Sequence, residues 1–514
     1  MQAKISGDIM PSIIVFLVAL PLCMGIAIAS GMPPAAGLIT GIIGGIVVGS
    51  IAGSPLQVSG PAAGLAVIVA EIVREQGVQA LGPMLVLAGL IQLAAGFLKV
   101  GQWFRAISPA VIFGMLSGIG VLIFAGQFHV MLDDKPKSNG ILNLITIPNA
   151  LYMDFFNPEG YAQHHVPALL GLLTIGTILL WNRFRPKALK MIPGALIGVI
   201  LATIAAMLVK AQVNYVEVPP NLLAAANWVS LQSLARLADK AFLFSALTLA
   251  FVASAETLLS AGAVDRMHDG PRTDYDKELR AQGIGNTLCG LAGALPMTGV
   301  IVRSSANVQA GAKTRWSAVL HGVWMLVFVA AVPFVLERVP VASLAGILVY
   351  TGYKLVDWKS AKGLLKYGKM PLVIYLVTLI GVVAIDLLTG VIMGIVLSFI
   401  RLVHTASQID IWTEERASGN RYDVHVSGAA TFVKLPVIAQ AFEKIPRSAE
   451  VHIHFAELVT IDHSVMDLLT TLEEEFERNG GQFVTQWEQL HARHEKLTSN
   501  GQPRVERDDR EVAA

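Results

Sequence analysis

Charge is scarce in this 514-residue chain: Asp, Glu, Lys and Arg make up 15%, where soluble domains carry about a quarter. With 54% hydrophobic residues and a mean hydropathy of +0.60, that scarcity excludes an ordinary soluble enzyme and predicts a multi-span membrane protein. Cysteine is scarcer still. Cys23 and Cys289 lie far apart in apolar stretches and read as small core residues, not as a disulfide framework or a thiol site. There is no phosphate-cradling loop, nucleophile–base constellation or nucleotide fingerprint, so neither an enzyme nor ATP-driven transport by this chain alone is expected, and no cofactor. The basic and acidic residues nearly cancel to a net charge of +1, which gives no reason to expect a nucleic-acid partner. The first apolar run, Ile9 to Ser30, is long enough to span and has no cleavage site, so it is expected to stay as the first helix.

What the chain does have is a matched pair of interruptions. One reads Ser59-Gly60-Pro61-Ala62-Ala63-Gly64, the other Pro296-Met-Thr-Gly-Val-Ile-Val-Arg-Ser-Ser305. Both sit in sequence greasy enough to cross a bilayer, where irregular backbone is tolerated only if it lines a cavity. Such a pair, one per half, points to the substrate site of an inverted-repeat transporter, and Arg303 at the second break points to an anion.

Fourteen membrane segments are predicted, near 8–30, 34–53, 59–74, 82–99, 107–129, 165–182, 192–210, 240–262, 279–295, 299–311, 314–337, 341–356, 370–386 and 388–404. With the N-terminus inside, the inward loops carry Lys99 and Arg105; Arg183, Arg185, Lys187 and Lys190; Arg266, Arg272, Lys277 and Arg280; Lys313 and Arg315; and Lys354, Lys359, Lys362, Lys366 and Lys369. The outward loops hold few cations, such as Arg74, Lys135, Lys137 and Arg338. That bias predicts cytoplasmic termini on both ends and a multi-pass protein of the inner, cytoplasmic membrane. The transporter domain is taken as residues 1–404. At about 405 the composition shifts: alternation from Arg421 to Ser427, a helical stretch from Leu435 to Lys444, strands at Glu450–Phe455 and Gln482–Gln486, and a helix from Ser464 to Asn479. These predict a small α/β domain over 405–498, followed by a disordered polar tail, 499–514.

Glu256 is the sharpest single residue. A carboxylate in mid-span is costly unless paired, protonated or facing water, so it is a functional-site candidate, with Ser260 one turn on along the same face. The alternative is a structural carboxylate bonded to a neighbouring helix. Arg303 supplies forked donors for an oxyanion, and the half-helix after Pro61 adds free N–H groups and the positive end of its dipole. An Arg303–Glu256 salt bridge holding two helices is the alternative there. Asp386 reads as a helix-boundary residue, His164-His165 as solvated, and Pro21 as a kink in the first helix. His425, His452, His454 and His463 lack ligand spacing for a metal, and no metal site is expected.

These stretches together resemble the SulP family of inorganic anion transporters. The resemblance is carried by Ala19-Leu-Pro-Leu-Cys-Met-Gly-Ile-Ala-Ile-Ala-Ser-Gly31, Val58-Ser-Gly-Pro-Ala-Ala-Gly64, Gln282-Gly-Ile-Gly-Asn286 and Arg303-Ser-Ser-Ala-Asn-Val-Gln-Ala-Gly-Ala-Lys-Thr314, over roughly residues 7–490. It implies a uracil-permease-type fold, a seven-plus-seven inverted repeat split into core and gate domains, with a cytoplasmic STAS domain and commonly a homodimer. It implies substrate between the facing ends of helices 3 and 10. Ser59, Gly60, Pro61 and Ala62 would then line one side, Val302, Arg303 and Ser304 the other, and Leu22 and Ile26 the wall. Glu256 falls where ion-coupled members carry an acid. The chain departs from the sodium-coupled bicarbonate branch, having Glu256 and Ser260 in place of Asp and Thr, and having Arg303.

The expected function is therefore secondary transport of a small oxyanion, sulfate or bicarbonate, coupled to H+ through Glu256. Na+-coupled bicarbonate or dicarboxylate transport, a channel-like conductor, and a STAS-based regulatory scaffold with a cytoplasmic partner are the competing readings. In the C-terminal domain, Asp462-His463-Ser464 reads as a helix cap, or as a phosphorylation site of the kind STAS switches use.

Overall fold

A chain this apolar must close its backbone hydrogen bonds within its own segments, and it does so as helices. The computed structural model describes residues 2–106, 108–137, 139–156, 165–186, 189, 192–217, 226–230, 240–416, 420–455 and 458–485. His164, Lys187, Lys190, Gln486 and the tail from 499 lie outside the described residues. Two compact units divide the chain, Met1–Val396 and Leu397–Ala514.

A helix stands at every predicted membrane segment, all but the last lying wholly within the first unit. The first half holds α1 (Gln2–Ala29), α2 (Pro34–Ile51), α3 (Ala63–Gln76), α4 (Val78–Phe97), α5 (Pro109–Met131), α6 (Gly140–Phe156), α7 (His165–Phe184) and α8 (Gly194–Leu208). The second holds α9 (Lys240–Asp265), α10 (Tyr275–Leu291), α11 (Ile301–Gln309), α12 (Trp316–Ala331), α13 (Val341–Leu355), α14 (Trp358–Leu364), α15 (Lys369–Ala384) and α16 (Leu387–Ala406). Among the described residues seven helices are long and apolar enough to cross a bilayer. At about 1.5 Å per residue, α3 and α11 cannot: each is a half-helix preceded by a three-residue strand, β1 (Ser59–Pro61) and β2 (Met297–Gly299).

Two details differ from the sequence expectation. α6 fills a stretch read as an outer loop; Asn139 starts it, its Oδ1 accepting from Leu142 N at 2.8 Å, and it packs on α5 and α15. α10 begins four residues early because Asp274 caps it, accepting from Lys277 N at 3.0 Å. α1 continues unbroken through Pro11 and Pro21, the latter the position where the sequence predicts a kink.

Packing sorts these helices into two bundles, α1–α4 with α9–α12, and α5–α8 with α13 and α15. The strand pair belongs to the first bundle.

The second unit is α/β. β3 (Ile409–Glu415) pairs antiparallel with β4 (Arg421–Ala430), which runs parallel to β5 (Glu450–His454) and β6 (Leu458–Ile461); β7 (Gln482–Val484) follows β5. Strands β3 and β6 were not foreseen. α17 (Leu435–Glu443) and α18 (His463–Arg478) supply Ile438, Phe442, Leu469 and Phe476 to a core that also takes Val424, Val451 and Phe483 from the sheet. Asp462 caps α18, accepting from Val465 N at 3.0 Å. Trp412, His425 and His454 are direct partners across three neighbouring strands, so they share a face and their rings stack 5.0 and 4.6 Å apart. His452 pairs with Glu450. Burial works to raise the Asp423 carboxyl, but hydrogen bonds from Arg416 and His454 and the charges of Arg416 and Arg421 outweigh it and hold the group below the usual carboxylate range. Among the described residues no three His, Cys, Asp or Glu side chains gather to hold a metal.

Candidate anion site between two half-helices

The two sequence breaks meet in space. β1 and β2 pair antiparallel, Ser59 against Gly299, Gly60 against Thr298 and Pro61 against Met297. From this ribbon α3 and α11 depart, so their N-termini converge on one region. Ser, Thr, Asp or Asn normally caps such an end, but here the cap positions are Ala62 and Val300, which have no side chain to do so. Leu65 N turns back to Ala62 O at 3.2 Å, and no cap side chain serves the N–H groups ahead of it or those of the first turn of α11, at the positive ends of two dipoles.

Between those ends lies a cavity of about 60 Å3. Ala63 and Gly64 of α3 and Val300, Ile301 and Val302 of α11 form its floor, with Leu22 and Ile26 of α1 and Glu256 and Ser260 of α9 beside them. The opposite wall comes from the other bundle: Leu116 and Ile119 of α5, and Leu348, Thr351 and Leu355 of α13. The space exceeds the roughly 10–15 Å3 that one water requires, so it suits a small solute. It is largely apolar, with one carboxyl, two hydroxyls and the helix ends as its polar features.

Glu256 Oε2 is buried without a hydrogen-bond partner. The carboxyl lies against the first turn of α3, where a β-carbon on Gly64 would come 2.8 Å from Oε2, so only glycine leaves it this position. Arg303 is fully buried, and none of its three guanidinium nitrogens meets an oxygen or nitrogen acceptor; the polar group beside it is the Cys23 thiol. It does not line the cavity and forms no ion pair with Glu256. Instead it lies behind β1, where a β-carbon on Gly60 would fall 2.1 Å from Nη1, and its charge acts on Cys23 of α1 and His321 of α12.

The other expected site residues divide in the same way. Leu22, Ile26 and Val302 line the cavity with Glu256 and Ser260, whereas Ser59, Gly60, Pro61, Ala62 and Ser304 do not. The two serine hydroxyls are spent on the scaffold, Ser59 on a side chain and Ser304 on backbone. Ser59 Oγ accepts from Gln282 Nε2 at 2.7 Å, and Ser304 Oγ accepts from Val58 N at 2.9 Å while donating to Val300 O at 2.7 Å.

A polar brace behind the ribbon went unseen in the sequence. Asn286 Oδ1 accepts from Met297 N at 2.7 Å and its Nδ2 donates to Met297 O at 3.1 Å and to Gln92 Oε1 at 2.8 Å. Gln282 Nε2 also donates to Glu278 Oε1 at 2.9 Å, and Glu278 Oε2 accepts from Ser54 N at 2.9 Å. Thr257 Oγ1, on the helix that carries Glu256, accepts from Gly299 N at 3.1 Å. The available signal was periodicity: Glu278, Gln282 and Asn286 recur every four residues in an apolar span. Asn286→Ala would strand both polar groups of Met297 in a buried strand, at about 1–3 kcal/mol each. The detergent-solubilised variant is expected to melt several degrees lower and to bind anion more weakly; an unchanged melting temperature would refute the brace.

Two larger spaces flank the cavity. One of about 290 Å3 follows α3 from Ala66 to Arg74 and α5 from Leu122 to Gln127, and the other, about 740 Å3, lies past Leu258 and Leu259 where α9 ends at Asp265. The small cavity shares α3 and α5 with the first of these spaces and α5 and α9 with the second.

A central site at facing half-helix ends, walled by two separate bundles, is the architecture of a membrane carrier. The chain belongs to the Sulfate permease family, whose model matches residues 5–378, and it is a transporter rather than an enzyme. It is 30% identical over 413 residues to YvdB of Bacillus subtilis, covering 79% of this chain and 75% of that protein. Among solved structures it is similar to the transmembrane domain of a cyanobacterium bicarbonate transporter BicA, with 25% identity, a TM-score of 0.61 and coverage of 76% and 97%. Its fold is also that of the murine anion transporter Slc26a9 in the inward-facing state, with 16% identity, a TM-score of 0.80 and coverage of 96% and 88%.

Proposed function

We propose that this chain is a secondary active carrier of a small inorganic oxyanion, sulfate or bicarbonate, and that it couples uptake to H+ through Glu256. The observation that carries the reading is the pair of uncapped half-helix N-termini converging on a small cavity, with a buried, unpaired guanidinium behind one of them. First-turn N–H groups of α3 and α11 would hold the anion, Ser260 and Thr351 would offer hydroxyls, and Arg303 would add positive potential from behind the ribbon. An ionised Glu256 in the same cavity repels an anion, and its protonation removes that repulsion, so proton and substrate enter together. Na+ would need a shell of oxygen ligands, and the cavity lining offers one carboxyl and two hydroxyls, whereas a proton needs only the carboxyl, so we read the proton as the coupling ion.

Because each bundle contributes one wall, moving the α1–α4/α9–α12 bundle against the other would expose the cavity to the two flanking spaces in turn. From the bias of the cationic loops we read both termini as cytoplasmic, and we take the carrier to be one of the cytoplasmic membrane. The α/β unit fits a STAS domain, and we read the assembly as a homodimer with that domain available to a cytoplasmic partner.

The test is uptake of radiolabelled sulfate and, separately, bicarbonate into proteoliposomes under imposed H+ or Na+ gradients. Saturable uptake of one of them, driven by inward H+ and indifferent to Na+, is expected. Accumulation driven by Na+ alone would overturn the coupling, and flux that never saturates would indicate a channel.

A further inference from the structure

The linker from α13 to α15 carries five lysines, Lys354, Lys359, Lys362, Lys366 and Lys369, and a single acid, Asp357. That acid is already engaged: Asp357 caps α14, accepting from Lys359 N at 3.0 Å, Ser360 N at 3.2 Å and Ser360 Oγ at 2.5 Å. All five lysines are exposed, and among the described residues none forms an ion pair within 4 Å; Lys359 feels the charge of Asp357, and Lys354 leans over the Tyr350 ring, 5.8 Å from its centroid.

Apolar groups are interleaved with the charges. α14 turns Ala361 and Leu364 inward and packs against α5 and α15. That leaves Trp358 62%, Leu365 49% and Tyr367 74% exposed. Trp358, Lys362 and Leu365 share one helical face. The apolar run of α13 stops at Leu355 and that of α15 starts at Met370, so the linker lies where hydrocarbon gives way to headgroups. Trp and Tyr favour that depth, with the ring in apolar surroundings and the polar tip wet.

We propose that this linker docks on anionic phospholipid headgroups and ties the α5–α8/α13/α15 bundle to the inner leaflet. Lysine ammonium groups meet lipid phosphates while Trp358, Leu365 and Tyr367 enter the acyl boundary. A soluble acidic partner or free phosphate could neutralise the lysines but would leave those three side chains in water. The inward placement of the linker rests on the orientation proposed above; the docking chemistry does not. An anchored wall gives the other bundle something fixed to move against.

The experiment uses the full-length protein in symmetric vesicles, so it is independent of orientation and of transport. Tryptophan emission is quenched with brominated phosphatidylglycerol or brominated phosphatidylcholine, and the Trp358 contribution is taken as wild type minus Trp358→Phe. At least twofold stronger quenching by the anionic lipid is expected, falling to parity in a Lys359→Gln/Lys362→Gln/Lys366→Gln/Lys369→Gln variant and in high salt. Equal quenching by both lipids, or none by either, overturns the proposal. Should Trp358→Phe fail to fold, the melting temperature decides: it is expected to rise with phosphatidylglycerol fraction in wild type and not in the four-lysine variant, and parallel curves refute the docking.

Discussion

Vesicles carrying Glu256→Gln are expected to accumulate no anion in response to an inward proton gradient, while still exchanging external for internal anion. One pH unit is worth about 1.36 kcal/mol, so with the membrane potential clamped at zero, one proton per anion supports about a tenfold concentration ratio in the wild type. Glutamine has the shape of the protonated carboxyl but cannot release a proton, so the variant is held permanently in the state that accepts anion. Exchange needs only that state, whereas accumulation needs both. Structure gives the substitution little else to disturb: Oε2 of Glu256 has no hydrogen-bond partner to lose, and Gly64 leaves room for the amide. A variant that still builds a proton-driven gradient would place the coupling group elsewhere, while one that loses exchange as well would make Glu256 part of the anion site itself.

Much of this was legible in the sequence because lipid allows so few solutions. Fourteen segments, the two breaks and the mid-span Glu256 all follow from what a bilayer forbids, and a helix is found at each predicted segment. α6 was hidden because Asn143, Asn149 and Asp154 make its stretch too polar to read as a span, and its helix rests on neighbours rather than on composition. The pairing of β1 with β2 could not be read from either segment alone, since three-residue strands have no periodicity to detect. The same limit hid the roles of Ser59 and Ser304. A hydroxyl beside a break suggests a ligand contact, but whether it faces the cavity or the backbone depends on partners more than 200 residues away. Leu116, Ile119, Leu348 and Leu355 gave no signal at all: they are apolar residues in apolar helices, and only the packing of α5 and α13 makes them a wall.

Arg303→Ala is expected to weaken anion binding while leaving the protein as stable as before, or more so. The usual result of deleting a buried arginine is collapse of an ion pair, but this guanidinium has none: it is fully buried, and only the weakly accepting Cys23 thiol lies beside it. Holding such a charge inside the membrane costs about 2.5–3.5 kcal/mol on insertion scales, which alanine returns to the fold. What is lost is the field. Unit charges about 6–8 Å apart at an effective dielectric of ~20 attract by about 2–3 kcal/mol, or about 30–100-fold in affinity. Gly60→Ala tests the same point without removing the charge. Its methyl would meet Nη1 at 2.1 Å, and the flexible end of the arginine would move away rather than the strand. The affinity loss should therefore be smaller than in Arg303→Ala, with the melting temperature near wild type. Affinity and stability falling together in Arg303→Ala would instead make the arginine a structural tie between β1, α1 and α12. In that case the anion would be held by the half-helix ends alone.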